Sequence, residues 1–454
     1  MRPRVESALD TIAALATPVG RSALALLRVS GQRSLEILRA VTRDLPDGIE
    51  PRHPYLVSFV DQSAQVLDRG LATFFAAPAS STGEDAAELS IHGSPVVAQR
   101  LLAALIAAGA RAARPGEFTE RAFLLGKVDL VEAEAVRDLI EARTEAAAKL
   151  SARRLDGALS RRLAAIREDL VATAAALGST IDFAEDVGET LPPQVVARLE
   201  SAGESLARLS DSYRIGSLIA SGCRVAILGK PNAGKSTLFN ALLGSSRAIV
   251  TDVPGTTRDT LHATVDVRGV PVEIVDTAGL RDTEDRVERI GVERAREAGQ
   301  SSDAVLYVFD AAAGWTAEDA SAIAALDGKP VAVIANKMDV LRGPWNGEPG
   351  AARPLSGISP AAGETLGQIL ADTVARDVST DSASETLSSL RQRDLVDRAR
   401  AAVSDTLGSL RGGDSPEYAA THLDAALDAL ADVAGETTAE DVLRAIFSTF
   451  CIGK

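Results

Sequence analysis

Three short strings hold the residue types that phosphate and purine chemistry need. Gly229-Lys-Pro-Asn-Ala-Gly-Lys-Ser236 fits G-x-x-x-x-G-K-S/T, after the apolar run CRVAIL and before the helix-compatible run STLFNALL. Glycines there let backbone N–H groups curl around phosphate oxygens, and a following helix adds the positive end of its dipole. Asn232, Ala233, Gly234 and Thr237 then line the phosphate path, Lys235 reaches the β and γ phosphates, and the Ser236 hydroxyl holds Mg²⁺. Asp276-Thr-Ala-Gly279 closes the apolar run VEIVD. Its carboxylate is placed to bind Mg²⁺ through water, and the Gly279 amide, beside Thr277 and Ala278, to meet the γ-phosphate. Asn336-Lys-Met-Asp339 follows VAVIA. An Asp339 carboxylate accepts from the ring N–H and exocyclic amine of guanine; adenine lacks that donor pair and would leave it unsatisfied. Asn336 suits the other base edge, the Lys337 stem the ring face, and Ser359, Pro360 and Ala361 lie where a loop would finish the base pocket. Each string alone is weak. Three in order, each ending an apolar strand, point to a guanine-nucleotide site.

Hydrolysis asks for more. Leu280 follows the second string, where many small GTPases carry a glutamine that orients the attacking water, and no arginine finger in cis is evident. The loop Thr251-Asp-Val-Pro-Gly-Thr-Thr-Arg-Asp259 is rich in hydroxyls, and Thr257 suits Mg²⁺ once nucleotide orders it. Asn232 reads either as a holder of a monovalent cation where an arginine finger would sit, or as a turn residue beside Pro231.

The elements that must position these residues fall into zones. Residues 1–118 alternate short apolar runs (Leu24–Val29, Tyr55–Val60, Leu71–Ala76) with turns and one apolar helix, Pro95–Gly109, as in a compact α+β domain. From 119 to 221 the chain is rich in Ala, Leu, Glu and Arg at helical spacing, with an acidic, turn-rich joint at Asp182–Pro193. Residues 222–380 alternate buried parallel strands (Cys223–Gly229, Val272–Asp276, Ala304–Asp310, Val331–Asn336) with helices, a doubly wound α/β pattern. After a polar linker at 376–386, residues 381–454 are again helical, broken at Gly412–Ser415 and near Gly435. Those last helices lack a core of their own. They are expected to pack on the helices of 119–221, which makes the P-loop domain an insertion. The fold class is thus multidomain α+β and α/β.

With 454 residues, about three domains are expected. Hydrophobic residues make up 46% and charged residues 24%, so the chain is globular. The net charge of −15 excludes nucleic-acid binding through the overall field; any RNA contact must come from a local basic patch or a basic partner. Two cysteines, Cys223 and Cys451, exclude a disulfide framework and a four-thiolate zinc site. No run is apolar enough to span a bilayer and no signal peptide is read, so the expected location is the cytoplasm.

Taken together, the chain resembles the MnmE (also TrmE) family of tRNA-modification GTPases over essentially its whole length. The strings PNAGKSTL, PGTTRD, DTAGL, VERIGVERA and NKMD are similar to that family's, as are ATPVGRSALALLRVSG, STGEDAAELSIHGSP and RPGEFTERAFLLGKVDLVEAEAV. The tail Phe450-Cys-Ile-Gly-Lys454 is its C-terminal signature. The resemblance implies a Ras-like GTPase domain, and a homodimer through an N-terminal domain that binds 5-formyl- or methylene-tetrahydrofolate. It implies an MnmG-type flavoprotein partner in a heterotetramer. It also implies modification of carbon 5 of the wobble uridine of certain tRNAs, and GTP hydrolysis activated by potassium through G-domain dimerisation. By position, Asn232, the Thr251 and Val253 carbonyls and Thr256 would hold K⁺, Ser236 and Thr257 Mg²⁺, and Glu288 would orient the hydrolytic water. Arg28, Glu88, Lys127 and Lys454 match the folate-contacting positions, and Cys451 the cysteine associated with the modification. A folate with a glutamate tail wants cations, and its pterin a carboxylate facing its N–H groups. Departures are Ser22 and Ala23, where the family often has glycine, and Ser-Pro-Ala where Ser-Ala-Lys is usual.

Two other readings compete. One is a GTP-gated RNA or ribosome-assembly switch without modification chemistry; the tail string and Lys127 argue against it. The other is a scaffold with a vestigial nucleotide site, against which Lys235, Asp276 and Asp339 weigh. For tRNA, Arg153, Arg154, Arg161, Arg162 and Arg167 read either as a basic stripe on one helical stretch or as a solvated face.

Overall fold

Residues 10–182, 193–245, 248–249, 261–276, 299–326, 328–376, 378 and 385–454 are described in a computed structural model. They divide into two units, one of Met1–Arg137, Arg154–Leu206 and Leu395–Lys454, the other of Asp138–Arg153 and Ala207–Asp394.

The first unit opens with β1 (Ile12–Leu15), β2 (Ser22–Ser30), α1 (Ser34–Ala40), β3 (Thr42–Arg43), β4 (Pro54–Val60), β5 (Val66–Phe75), β6 (Ala86–Gly93), α2 (Pro95–Ala107), β7 (Arg111–Ala112) and α3 (Glu117–Leu124). The strands form one sheet in the order β3-β4-β5-β6-β2-β1-β7, antiparallel except for the β1–β7 pair. Period-2 alternation sends Ala25, Leu27 and Val29 of β2 and Ala87, Leu89 and Ile91 of β6 inward onto α1 and α2. The opposite register places Arg28 beside Glu88 on the other face. Pro95 sits in the first turn of α2, where its missing N–H costs nothing. A buried arginine, Arg121, fastens α3: its guanidinium lies 3.1 Å from Glu84 and 2.6 Å from Asp10.

The helical stretch comprises α4 (Leu130–Glu141), α5 (Glu145–Leu155), α6 (Ala158–Asp182) and α7 (Pro193–Ser221). Of the expected joint at Asp182–Pro193, residues 183–192 lie outside the described residues.

In the second unit, β8 (Cys223–Leu228), α8 (Lys235–Leu243), β9 (Ala248–Ile249), β10 (Leu261–Val267), β11 (Val270–Asp276), β12 (Ala304–Asp310), α9 (Ala317–Ala324), β13 (Val331–Asn336), β14 (Arg353–Pro354) and α10 (Ala362–Val374) surround a sheet of order β14-β13-β12-β8-β11-β10-β9. The four expected strands are present and mutually parallel, with β12 buried almost throughout. The sheet is nonetheless mixed. β10, which the apolar runs did not single out, pairs antiparallel with β11 through a turn at Arg268-Gly269, both with positive φ. Its alternating sequence LHATVDV suits a strand with one buried face rather than two.

The chain closes with α11 (Leu390–Gly412), α12 (Pro416–Ala434) and α13 (Glu440–Ser448). Within the first unit α12 packs along α6, and α13 joins α3 and α4 in a cluster of Phe123, Leu130, Ala133, Leu443, Phe447 and Phe450. Gly435 ends α12 at φ +87°, and a Cβ there would lie 2.7 Å from the Phe123 ring. The five arginines do not make one stripe. Gly157 at φ +78° separates α5 from α6, and Arg154 is buried. Arg161 donates to the Asp156 carbonyl at 2.6 Å, and Arg167 lies 3.6 Å from Glu436. Among the described residues no helix is long and apolar enough to cross a membrane.

Candidate functional site

The phosphate loop leaves β8 at Gly229, φ +144°, where a Cβ would lie 2.0 Å from the Val308 carbonyl. It turns through Asn232 at φ +61° and enters α8 at Gly234, φ +93°. Both left-handed positions hold residues that tolerate them. A Cβ on Gly234 would lie 2.2 Å from Asn336 Nδ2, so only glycine lets the loop after β13 come this close. Ser236 and Thr237 are exposed on the first turn of α8. The Lys235 Nζ donates to the Gly229 and Lys230 carbonyls, 2.9 Å each. Burial lowers its pKa, opposed by the Asp276 carboxylate. Asp276 is fully buried at the end of β11, in register with Ile227 of β8.

Asn336 bolts the base loop to the phosphate loop. Its Nδ2 donates to the Ala233 carbonyl at 2.9 Å, and its Oδ1 accepts from the Gly357 N–H at 2.9 Å. Lys337, at φ +62°, extends its ammonium to Asp310 at 2.8 Å. The Asp339 carboxylate is exposed and accepts from the Ser356 hydroxyl. Ser356 and Gly357, which the sequence did not single out, are the residues that hydrogen-bond Asp339 and Asn336. Ser359, Pro360 and Ala361 lead into α10, with the Ala362 N–H donating to the Ser359 carbonyl. The missed signal is the short β14, two residues before Ser356. Thr251, Val253, Thr256, Thr257, Thr277, Ala278, Gly279, Leu280 and Glu288 lie outside the described residues.

A second cluster forms in the first unit. Arg28 Nε lies 2.9 Å from Glu88 Oε1. Both line a cavity of about 70 Å³ with Phe75, Ser81 and Phe118. The chain's tail comes to the same place. The Gly116 N–H donates to the Cys451 carbonyl at 3.3 Å, and the Phe118 N–H to the Lys454 carbonyl at 3.2 Å. Gly453, at φ +91°, packs so close that a Cβ would lie 2.7 Å from the Leu15 carbonyl. Burial lowers the Lys454 pKa, and Arg28 lowers it further, while Cys451 and Glu88 oppose them. Cys451 is exposed. Lys127 turns to another loop, donating to the Pro78 carbonyl at 3.1 Å. Cys223 is a core residue whose thiol burial pushes up to about 12. A larger cavity of about 920 Å³ in the second unit, lined among others by Tyr213, Arg353 and Asp372, includes none of the nucleotide-loop residues.

A phosphate loop, a buried strand-end aspartate and a clamped base-reading loop at the carboxyl ends of parallel strands define a P-loop nucleotide-binding protein of the GTPase class. Residues 11–127 match the family model of the GTP-binding protein TrmE N-terminus, and residues 130–451 that of the MnmE helical domain. The tRNA modification GTPase MnmE of Aquifex aeolicus is 39% identical over 98% of this chain and 100% of its own length. That of Koribacter versatilis is 40% identical over 98% and 99%. A solved structure of Era from Aquifex aeolicus, 26% identical over 40% of this chain and 66% of its own, overlaps with a TM-score of 0.28, too low to bear on the fold. The chain belongs to the MnmE (TrmE) family.

Proposed function

We propose that this protein hydrolyses GTP in the service of tRNA modification. With a flavoprotein partner, it installs a carboxymethylaminomethyl or aminomethyl group at carbon 5 of the wobble uridine, using a tetrahydrofolate one-carbon unit. The observation that carries this reading is the tail: its backbone is bonded to Gly116 and Phe118, and the Lys454 ammonium feels the charges of Cys451 and of Arg28 and Glu88, which line a cavity with Phe118, an arrangement a simple switch does not need.

In the nucleotide site, Lys235 exchanges its two carbonyl partners for phosphate oxygens. Ser236 and Thr257 would hold Mg²⁺, with the Asp276 carboxylate beside them, and Asp339 selects guanine. Mg²⁺ held there would supply positive charge against the phosphate oxygens. Asn232, the Thr251 and Val253 carbonyls and Thr256 would hold K⁺, which would supply the positive charge an arginine finger brings. Glu288 orients the attacking water.

At the tail, Glu88 suits N–H groups of a folate's pterin with Arg28 paired beside it, Lys454 suits its carboxylates, and Cys451 is an exposed thiol. A cavity of about 70 Å³ is well below the roughly 300–1,000 Å³ that ligands of this size fill, so much of the carrier lies outside it. A second copy of the N-terminal unit supplies the remaining wall. The outer sheet face supports that homodimer, with Leu56 directly opposite Leu71 and both exposed. In the cytoplasm, the flavoprotein completes a heterotetramer and carries much of the tRNA contact, in keeping with the −15 charge of this chain.

Mass analysis of tRNA nucleosides tests the reading. Cells carrying Cys451→Ser in place of the native chain should lose the wobble modification by about a hundredfold or more, while the purified variant keeps its GTP turnover. Fully modified nucleosides would make the cysteine structural; full modification in cells lacking the protein altogether would leave only a GTP-gated switch.

A further inference from the structure

Lys230, the first variable residue of the phosphate loop, reaches across to the start of α9. Its Nζ lies 2.6 Å from Thr316 Oγ1, 3.1 Å from the Glu318 carboxylate and 3.2 Å from Asp319 Oδ2. An ammonium has three donors, so these partners leave none for a phosphate oxygen. Asp319 is 1% exposed. Its Oδ1 accepts from the Tyr307 hydroxyl at 2.8 Å, and its Oδ2 from the Thr316 N–H at 2.9 Å and the Thr316 hydroxyl at 2.6 Å. Burial pushes this carboxyl up, but the hydrogen bonds of Thr316, Tyr307 and Lys230 outweigh it and hold the group below the ordinary carboxylate range. On its backbone side, the Lys230 carbonyl accepts from Lys235 Nζ at 2.9 Å and from the Ala233 N–H at 3.3 Å. One residue thus joins a buried anchor to the lysine that reads phosphate.

We propose that Lys230 and Asp319 form a tether that sets the phosphate loop, and with it the Lys235 ammonium, before nucleotide arrives. Both are positioning residues. The proposal rests on the reading of Gly229–Ser236 as the GTP site. The loop between β8 and α8 has no ladder bonds to hold it, so an untethered loop would be ordered at the expense of binding. That cost falls on ground state and transition state alike and appears in KM rather than kcat.

The test compares GTP hydrolysis by the full-length chain with that of Lys230→Met and Lys230→Arg. Lys230→Met should raise KM for GTP about tenfold and change kcat by no more than about twofold. Its thermal midpoint should hold, because Asp319 keeps Tyr307 and Thr316. Lys230→Arg, still able to pair with the buried carboxylate, should restore most of the affinity. Asp319→Asn should raise KM in the same direction, and adding Lys230→Met to it should bring little further loss. An unchanged KM in Lys230→Met overturns the tether, as does an arginine variant no better than the methionine one. If Asp319→Asn does not fold, the methionine and arginine pair decides alone. A native chain that neither binds nor hydrolyses GTP would instead overturn the nucleotide reading, and the tether with it.

Discussion

The nucleotide cradle and the tail cluster solve the same problem, placing charge for a ligand, by different means. In the cradle the decisive contacts are made to backbone. Asn336, 2% exposed, ties the Ala233 carbonyl to the Gly357 N–H, and Gly234 leaves no room for a Cβ. At the tail the charged side chains are spent on one another. Arg28 and Glu88 form an ion pair with side chains 24% and 31% exposed, and Lys454 sits against the Arg28 charge. The cradle is therefore built before its ligand arrives, whereas an anion at the tail must first compete with Glu88 for Arg28.

The largest effect that could break this contrast is a single methyl group. Gly234→Ala places a Cβ 2.2 Å from Asn336 Nδ2 at a backbone φ of +93°, so the amide must move and both of its partners, the buried Ala233 carbonyl and the half-buried Gly357 N–H, lose it. With left-handed strain of about 1–2 kcal/mol and buried polar groups costing about 1–3 kcal/mol each, GTP affinity should fall at least about a hundredfold. The same change at Gly453, also left-handed and close to the Leu15 carbonyl, should lift the tail from the first unit and leave GTP turnover alone. Nucleotide titration and turnover assays on the two variants measure this. Equal losses of GTP binding would mean that the two sites are not separately built.

A smaller effect sharpens the cradle's side. Asp339 is exposed, with its carboxylate held by Ser356, so it is already aimed before a base is bound. Asp339→Asn turns one of two acceptors into a donor facing guanine's donors. Preference for GTP over ATP should drop by about ten- to a hundredfold, read from competition for the site. Unchanged preference would place base reading elsewhere.

The same contrast explains what the sequence made legible. Backbone-built features left signatures in residue type: Gly229 and Gly234 where a Cβ would collide, and Asp276 and Asn336 at the ends of apolar strands. Ser356 and Gly357 went unread because β14, only Arg353–Pro354, is too short for any periodic pattern. Ser359-Pro-Ala361 carries turn chemistry of its own that belongs to the start of α10. The antiparallel β10 stayed hidden because its polar alternation does not resemble a buried strand. Pairings across sequence distance were invisible in a single chain. Lys230 and Asp319 are 89 residues apart, and Arg28 and Glu88 60, and nothing in either neighbourhood names the other. Arg154 reads as a surface charge until the break at Gly157 shows that it faces inward.

The smallest effect probes the tail, through Lys454. Burial lowers its folded pKa below the ordinary 10.5, and the Arg28 charge adds to that. Well below the folded value both states hold the proton, and keeping a charged ammonium in this place costs stability. As pH rises toward 10.5, the folded chain releases its proton while the unfolded chain still keeps one. The unfolded state then binds more protons, and stability rises with pH across that window. Because the site is half exposed, screening keeps the gain small, about 2 °C or less in the thermal midpoint between neutral and alkaline pH. An anionic folate seated between Arg28 and Lys454 would favour the protonated ammonium, raise its pKa and flatten the slope. Thermal unfolding at two pH values, with and without reduced folate, reads this directly. A slope that persists at saturating folate would take the carrier's carboxylates away from Lys454 and leave Arg28 and Glu88 as a structural pair.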